Sequence, residues 1–193
     1  MSCLIDIGAS VNCSTISAGG IRKYVMLYNW SEWRSMVDGG DVTFDSDGMI
    51  TDIVNATSVQ AYKFEVPDES GVVPSNPLIE QEGNIDMYDH QLNLSVFGDT
   101  QALRNNIDRM RVENVVAIIY QNNGKGSVYG NEQGMKLITN NFNPQDPVMG
   151  NIIPIELKTS NQGAKETRMP ATIFKTDAAT TEALILGLTT VGV

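Results

Sequence analysis

The sequence predicts a mainly β fold, either a β-sandwich or a half-barrel, with one packed α-helix at about residues 99–110 and extended arms. Short apolar or alternating runs rich in Val, Ile and Tyr favour strands, and Asp-Gly and Asn-Gly pairs between them are typical of hairpin turns. Only one stretch has clear helical periodicity. A chain of 193 residues with 41% hydrophobic content suits a single domain spanning 1–193.

The first third of the chain contains several strand signals. Ile21 to Tyr28 (IRKYVMLY) is mostly apolar and predicts a strand. Asp41 to Val54 predicts two short strands joined through Asp45-Ser46-Asp47-Gly48, because the central positions of such turns require positive φ. Gln60 to Val66 predicts another strand.

A Pro- and Gly-rich acidic loop or arm is expected at about 67–88. Its core, PDESGVVPSNPLIEQEGN, contains three prolines, two glycines and four acidic residues. Since proline cannot donate to a β-ladder, this composition predicts that the segment stays outside the sheet.

The second half begins with a strictly alternating strand, Gln91 to Phe97, which should have one wet face. Gly98-Asp99-Thr100 then stops this strand and caps a helix that places Ala102, Leu103, Ile107 and Met110 near one side. The most apolar strand, Val112 to Tyr120, should be central. A late strand is expected at Ile152 to Lys158, and the segment Ala178 to Leu188 fits either a short helix or a last strand.

The stretch QNNGKGSVYGNEQG, which follows the apolar strand, has the look of a phosphate-binding loop. In the frame G-x-x-x-x-G-K-[ST], however, the first glycine would fall on Ile119, and Gly126 occupies the Ser/Thr position after Lys125. The dinucleotide frame G-x-G-x-x-G fails by one residue. The sequence therefore predicts a hairpin with its turn at Asn122 to Lys125.

Candidate reactive groups are few, so we expect no enzymatic activity, no catalytic residues, no cofactor and no metal. His90 is the single histidine, and we expect it at the surface or in packing, although spacing alone does not exclude a dyad with Cys13. Cys3 and Cys13 are the two cysteines, and reduced thiols are expected. The aspartates near Gly48 do not follow EF-hand spacing, since Val54 would occupy the twelfth position.

The net charge of −10, with basic residues that never form a block, disfavours nucleic-acid binding by counterion release. The amino terminus lacks the pattern of an export signal. No apolar run approaches the roughly 20 residues that span a bilayer. We therefore expect synthesis in a cytoplasm and no membrane partner.

Two neighbouring stretches carry a resemblance to a known family. VENVVAIIYQNNGKGSVYGNEQGMKL, preceded by HQLNLSVFGDTQALRNNIDRM, resembles the central part of the tail tube or major tail proteins of phages that infect Bacteroidetes-type hosts. The opening CLIDIGASVNCSTISAGGIRKYVMLYN is similar to the amino-terminal region of such virion proteins. The end of the chain departs from the resemblance, because Val148-Met149-Gly150-Asn151-Ile152 stands where the family usually has a Gly-Asp-x-Asn-Gly-Tyr-like hairpin.

The resemblance implies a virion structural protein that forms closed rings, commonly of six copies, stacked into a tail tube through which genomic DNA passes without tight binding. Its partners would be copies of itself and other tail or connector proteins, and its location the virion tail after synthesis in the host cytoplasm. Residues expected to face the lumen are Gln91, Asn93 and Ser95. Residues expected on an arm that crosses a neighbouring subunit are Pro67, Val72, Val73, Pro74, Pro77, Leu78 and Ile79.

Two other classes of protein remain open at this point. One is a head-to-tail connector or tail hub ring that reuses the same fold. The other is a small-ligand-binding module or an enzyme whose site uses Asp, Glu, Tyr and Asn without histidine.

Overall fold

The structure is a computed structural model that describes residues 20–66, 72–79, 87–97, 100–140, 152–159 and 165–192. Its helices are α1 (Trp30–Gly39), α2 (Gln101–Arg109) and α3 (Ala178–Gly187). Its strands are β1 (Ile21–Asn29), β2 (Val42–Phe44), β3 (Ile50–Ile53), β4 (Tyr62–Glu65), β5 (Val72–Ser75), β6 (Leu78–Ile79), β7 (Met87–Tyr88), β8 (Gln91–Phe97), β9 (Val115–Gln121), β10 (Gly126–Tyr129), β11 (Met135–Asn140), β12 (Ile152–Thr159) and β13 (Ala171–Ile173). The mainly β fold class predicted from the sequence is confirmed.

Eleven of the strands form a continuous sheet that has two parts. The first part, which we call the covered sheet, has the order β4–β1–β9–β10–β13–β3–β2. The second part, the open sheet, has the order β5–β8–β12–β11, and all its neighbours are antiparallel. The two parts are joined where β11 meets β9, at the pair Met135 and Val115.

Strand β9 lies at the centre, and both of its faces are buried. Val115, Ala117 and Ile119 point into a core between the two sheets. The alternate residues Val116, Ile118 and Tyr120 point into a second core beneath α1 and α3. Because side chains alternate along a strand, this uninterrupted apolar run supplies both cores at once. The observed strand begins at Val115, and Val112, where the sequence predicted its start, lies in the preceding turn.

The core between the sheets explains why apolar and polar residues alternate along the strands of the open sheet. Its inward side chains are Val72, Leu92, Leu94, Val96, Met135, Ile153, Ile155 and Leu157. These residues pack against the covered sheet, while their sequence neighbours face outward. The predicted shared face of Ile153, Ile155 and Leu157 is therefore confirmed.

Helix α2 matches the predicted helix closely. Thr100 caps it, and the Oγ1 atom of this residue accepts a hydrogen bond from the backbone N–H of Leu103 at 3.2 Å. Ile107 and Met110 are buried in the core between the sheets, and Leu103 packs against it. Ala102, which the periodicity placed on the same face, is exposed.

Two further helices accompany α2. The sequence left Ala178 to Leu188 undecided between helix and strand, and it forms α3, begun by a reciprocal capping box between Asp177 and Thr180. Helix α1 was not predicted. It buries Trp33 and Met36 against the second core and ends at Gly40, whose φ of 84° lies in the left-handed region.

The expectation that the Pro-rich arm stays outside the sheet is wrong for residues 72–75. These residues form β5, which pairs with β8 from Val72 opposite Leu94 to Ser75 opposite Gln91. The strand lies at the end of the strand order, where proline is tolerated because its nitrogen can face away from the ladder. Strand β6 of the same arm pairs with β7, whereas Pro67 lies outside the described residues.

The two predicted hairpins are confirmed. Strands β2 and β3 are joined through the turn that contains Gly48, with a φ of 82°. Strands β9 and β10 are joined through Asn122 to Lys125, and Gly124 has a φ of 84°. No helix follows that loop directly, because the chain returns as β10.

Replacing Gly124 with Val should lower the free energy of unfolding by at least about 1 kcal/mol, because a branched residue at positive φ is strained. The site also lacks space, since a Cβ atom at Gly124 would lie 2.5 Å from the Cβ atom of Ala178 at the start of α3. Lys125→Ala, in the same turn, is the matched control and should change stability little. Urea unfolding of both variants tests this prediction, and equal stabilities would contradict it.

Candidate functional site

A cluster of buried polar residues lies where strands of both sheets end. Asp89 and His90 directly precede β8, and Thr159 ends β12. Lys165 and Glu166 come from the segment before β13. All five residues are buried, so each polar group has to find its partners within the protein. We call this cluster the polar junction.

The carboxylate of Asp89 is the centre of the polar junction. One oxygen accepts hydrogen bonds from Thr159 Oγ1 at 2.7 Å and Lys165 Nζ at 3.0 Å. The other oxygen accepts from Gln91 Nε2 at 2.9 Å and lies 2.9 Å from Lys158 Nζ. Burial acts to raise the pKa of Asp89, but the hydrogen bonds from these four side chains outweigh it and lower the pKa to about 2. Asp89 is therefore ionised and paired with two lysines at neutral pH.

His90 joins two loops through its ring. The backbone N–H of Gly130 donates to Nδ1 at 3.0 Å, so Nδ1 carries no proton. Nε2 then carries the proton and donates to the carbonyl oxygen of Arg168 at 3.0 Å. Burial lowers the pKa of His90 to about 4, and the ring packs edge-on against Tyr129. Both nitrogens are occupied, so in this conformation the imidazole serves as a structural link and not as a base for an external ligand.

Glu166 fixes the turn that leads from β10 to β11. Its carboxylate accepts hydrogen bonds from the backbone N–H groups of Glu132 at 2.9 Å and Gln133 at 3.0 Å. Burial raises the pKa of Glu166, and these two hydrogen bonds act in the opposite direction. The carboxylate of Glu132 in turn accepts from the backbone N–H and the hydroxyl of Thr167. The two glutamates therefore tie the turn to the segment before β13.

The sequence did not reveal the polar junction. Asp89 and His90 are neighbours in the sequence, but Thr159 and Lys165 lie 70 and 76 residues away from Asp89 along the chain. The one local signal for this site was the Asp-His pair directly before an alternating strand. Because the inward side chains of such a strand lie in the core, a polar pair at its start lies at the edge of that core. Cys13, the other member of the dyad that spacing left open, lies outside the described residues.

The predicted lumen-facing residues share the outer face of the open sheet. Gln91, Asn93 and Ser95 alternate with buried Leu92 and Leu94, which confirms that β8 has one wet face. Gln91 also donates to Asp89, so it links the outer face to the polar junction.

Cross-strand neighbours extend this outer face into rows. One row runs Val73, Asn93, Glu156 and Thr139, and a second runs Ser75, Gln91, Lys158 and Lys136. A small positive excess remains on this face, because Glu156 offsets one of its two lysines and the buried carboxylate of Asp89 is shared between Lys158 and Lys165. The excess negative charge of the chain therefore lies mainly elsewhere, and the face is polar without being strongly acidic.

The predicted arm residues do not share one environment. Val72 is buried in the core between the sheets, so it is not available to a neighbouring subunit, contrary to expectation. Val73 is 52% exposed and Pro77 is also exposed. Pro74 is half-buried within β5. Among the predicted arm residues whose side chains the structure describes, the exposed ones are therefore Val73 and Pro77. The side chains of Leu78 and Ile79 lie outside that described part.

Neither a metal cluster nor a membrane span is found in the part of the chain that the structure describes. No three His, Cys, Asp or Glu side chains there are grouped as metal ligands. The described helices have at most ten residues, and none is long and apolar enough to cross a membrane.

His90 should make the stability of the protein depend on pH. Its folded pKa of about 4 lies below the usual value of 6.5, so the unfolded chain binds the proton more readily between these values. This contribution is present above pH 6.5 and is lost as the pH falls towards 4, by about 3 kcal/mol in total. Urea unfolding at a series of pH values should show the loss in the wild type and not in His90→Gln. Parallel pH profiles for the two proteins would contradict the prediction.

Comparison of the chain with protein-family models, with curated proteins and with solved structures gives no match in any of the three. The likeness to phage tail tube proteins therefore depends on the two stretches around β9 and at the start of the chain alone.

Proposed function

We propose that the protein is a virion structural protein whose copies assemble through the open sheet into closed rings, as the resemblance to tail tube proteins implies. The observation that carries this proposal is the open sheet itself. It has four antiparallel strands, one face in the core and one polar outer face, and its outermost strands β5 and β11 are largely unpaired on their outer sides among the described residues.

Because the open sheet has four antiparallel strands, the directions of its two outermost strands favour head-to-tail pairing between copies. Neighbouring strands of the open sheet alternate in direction, so β5 and β11 run in opposite directions. When a second copy is placed beside the first by rotation about an axis along the strands, its β11 lies antiparallel to β5 of the first. A heterologous contact of this kind closes into a ring if a whole number of equal rotations between neighbouring copies adds up to one full turn.

The two edges differ in how much pairing each one can offer. Strand β5 pairs only with β8 among the described strands, and it is four residues long. On β11, Met135 pairs with Val115, and the backbone N–H of Leu137 donates to the carbonyl oxygen of Met110 at 3.1 Å. The part of β11 that can accept a further strand is therefore Ile138 to Asn140.

The outer face suits the lining of a DNA conduit. Its neutral polar side chains, Gln91, Asn93 and Ser95, are wetted, and its two lysines are partly offset by Glu156 and by the carboxylate of Asp89, which Lys158 shares with Lys165. Among the described residues, the small positive excess on this face is too little to hold a passing polyanion by counterion release. DNA would therefore move along the face without tight binding.

A single closed ring, such as a connector or a tail hub, would use the same edges and the same wet face. The distinction lies in stacking. Negative-stain microscopy of the purified protein should show stacked rings or tubes for a tail tube protein and single rings for a connector or hub. A species that stays monomeric at high protein concentration would contradict both roles.

Val73→Lys should weaken self-association about tenfold, because a lysine on an edge strand discourages further strand pairing. Val54→Lys is the matched control, since Val54 is an exposed valine just after β3, outside the open sheet. Both substitutions change the net charge equally, so a difference between them isolates the edge. Sedimentation velocity across a salt series measures the association, which should strengthen with salt as repulsion between acidic copies is screened. Equal association of the two variants would contradict the role of β5.

DNA binding should remain negligible at every salt concentration in the same series. Fluorescence anisotropy with a labelled duplex tests this expectation. Tight binding that weakens steeply with salt would show that the protein holds DNA through phosphate contacts, and it would contradict the conduit lining.

A further inference from the structure

The turn between α2 and β9, residues 109–113, is a projection with two arginines, one glutamate and an exposed valine, and we call it the arginine knob. Val112 is 71% exposed, the highest value among the exposed large hydrophobic residues of the described chain. Arg109 and Arg111 precede Val112 and Glu113 follows it, and all three charged residues are exposed. The guanidinium of Arg111 makes no hydrogen bond or ion pair within the described residues, so its charge is available to a partner.

The arginine knob is held in shape by its backbone. The N–H groups of Val112 and Glu113 both donate to the carbonyl oxygen of Arg109, at 3.0 and 2.9 Å. The N–H of Arg111 donates to the carbonyl oxygen of Asp108 at 3.2 Å. Because these bonds fix the turn, a partner that binds it does not have to order a mobile segment first.

A cleft elsewhere on the surface has the opposite character. It has a volume of about 530 Å³ and lies between the β2–β3 turn, the turn after β10 and the segment before β13. Its three carboxyl groups outnumber its one guanidinium, which belongs to Arg168. Its apolar rim includes Phe44 and Met169, both of which are among the exposed large hydrophobic residues. We call it the acidic cleft, and its carboxyl groups are those of Asp47, Glu132 and Glu166.

The acidic cleft is also preformed. Glu132 and Glu166 are held by the hydrogen bonds that fix the turn before β11, and a Cβ atom at Gly48 would lie 3.7 Å from Nη1 of Arg168, so the β2–β3 turn lies close to that guanidinium. The side chain of Asp47 is exposed at the mouth and has no hydrogen bond or ion pair among the described residues. An incoming cation can therefore pair with it without breaking an existing contact.

We propose that the arginine knob of one copy docks into the acidic cleft of another copy, with Arg111 against Asp47 and Val112 against the apolar rim. The two surfaces match in both respects that matter, since a cationic group meets an excess of carboxylates and the most exposed valine meets exposed Phe44 and Met169. This inference rests on the proposed self-assembly, and it adds a second contact, separate from the strand edges.

Docking of the arginine knob into the acidic cleft would also offset part of the repulsion between copies. Each copy carries a net charge of −10, so copies repel one another over the distance that salt does not screen. Helix α2 and the turn that follows it contain three arginines and two carboxylates, which gives this region a net charge of +3 − 2 = +1 in a chain of net charge −10. Placing this local positive charge against a local negative cleft turns a generally repulsive encounter into one with a preferred orientation.

The experiment is a charge swap, read by sedimentation velocity at one fixed salt concentration. Arg111→Glu and Asp47→Lys should each weaken self-association about tenfold, because each places like charges together at the contact, and the double variant should recover most of the loss. Lys23→Glu is the matched control for Arg111→Glu, because Lys23 is an exposed lysine on β1 and the change in net charge is the same. It should have little effect.

The sign of the Asp47→Lys effect separates docking from general repulsion. This substitution changes the net charge from −10 to −10 + 2 = −8. General repulsion predicts stronger association, whereas docking predicts weaker association. Thermal unfolding of each variant checks that its fold is intact, which is expected because the side chains of Asp47 and Arg111 are exposed and have no partners in the described structure.

A crosslinking measurement provides a second test. Copies that carry Val112→Cys and copies that carry Asp47→Cys, both with Cys3 and Cys13 replaced by Ser, are co-expressed and oxidised. Docking predicts a disulfide-linked dimer of the two kinds of copy. If the wild type assembles but the swap variants behave like the control and no crosslink forms, the docking is overturned while assembly stands. If the wild type stays monomeric, both proposals fail.

Discussion

The architecture depends on burying β9 on both of its faces. A strand whose consecutive side chains are all apolar is stable only between two layers, because each face needs its own cover. The chain meets this requirement in two different ways. One face of the covered sheet is protected by α1 and α3, and the other by the open sheet and α2. Since the open sheet is itself one of the covers, its own outer face is left polar and uncovered by any described element.

The turn from β10 to β11 is where the chain passes from one sheet to the other, and the polar junction holds this passage. Gly130 and Gly134 have φ values of 75° and 71°, which most residues avoid. His90 accepts from the N–H of Gly130, and Glu166 accepts from two further N–H groups of the turn. Backbone donors that the turn leaves without ladder partners are thus satisfied by His90 and Glu166, which explains why these two polar side chains are buried at the end of an apolar core.

The parts of the fold that the sequence predicted are those set by neighbours along the chain. Alternation predicted the faces of β8 and β12, glycines indicated the two hairpins, and Gly98-Asp99-Thr100 indicated the start of α2. Helix α1 was missed although Trp30, Trp33 and Met36 recur at three-residue intervals before a Gly-Gly pair, a pattern that indicates a helix and its end. The polar junction was missed for a different reason. Its residues come into contact only when the two sheets pack together, and no pattern among sequence neighbours predicts such long-range contacts.

Strand β5 shows how a local rule can be correct and still mislead. Proline does disfavour ladders, but the rule applies to strands with neighbours on both sides, and β5 has one among the described strands. A β5–β8 ladder that keeps its hydrogen bonds directs the nitrogen of Pro74 away from β8, which leaves a carbonyl group but no donor at that point of the outer edge. A strand that pairs there leaves one of its own carbonyl groups without a donor, whichever residue it places opposite Pro74. Pro74 therefore costs any added strand one hydrogen bond, which weakens pairing along this edge without abolishing it.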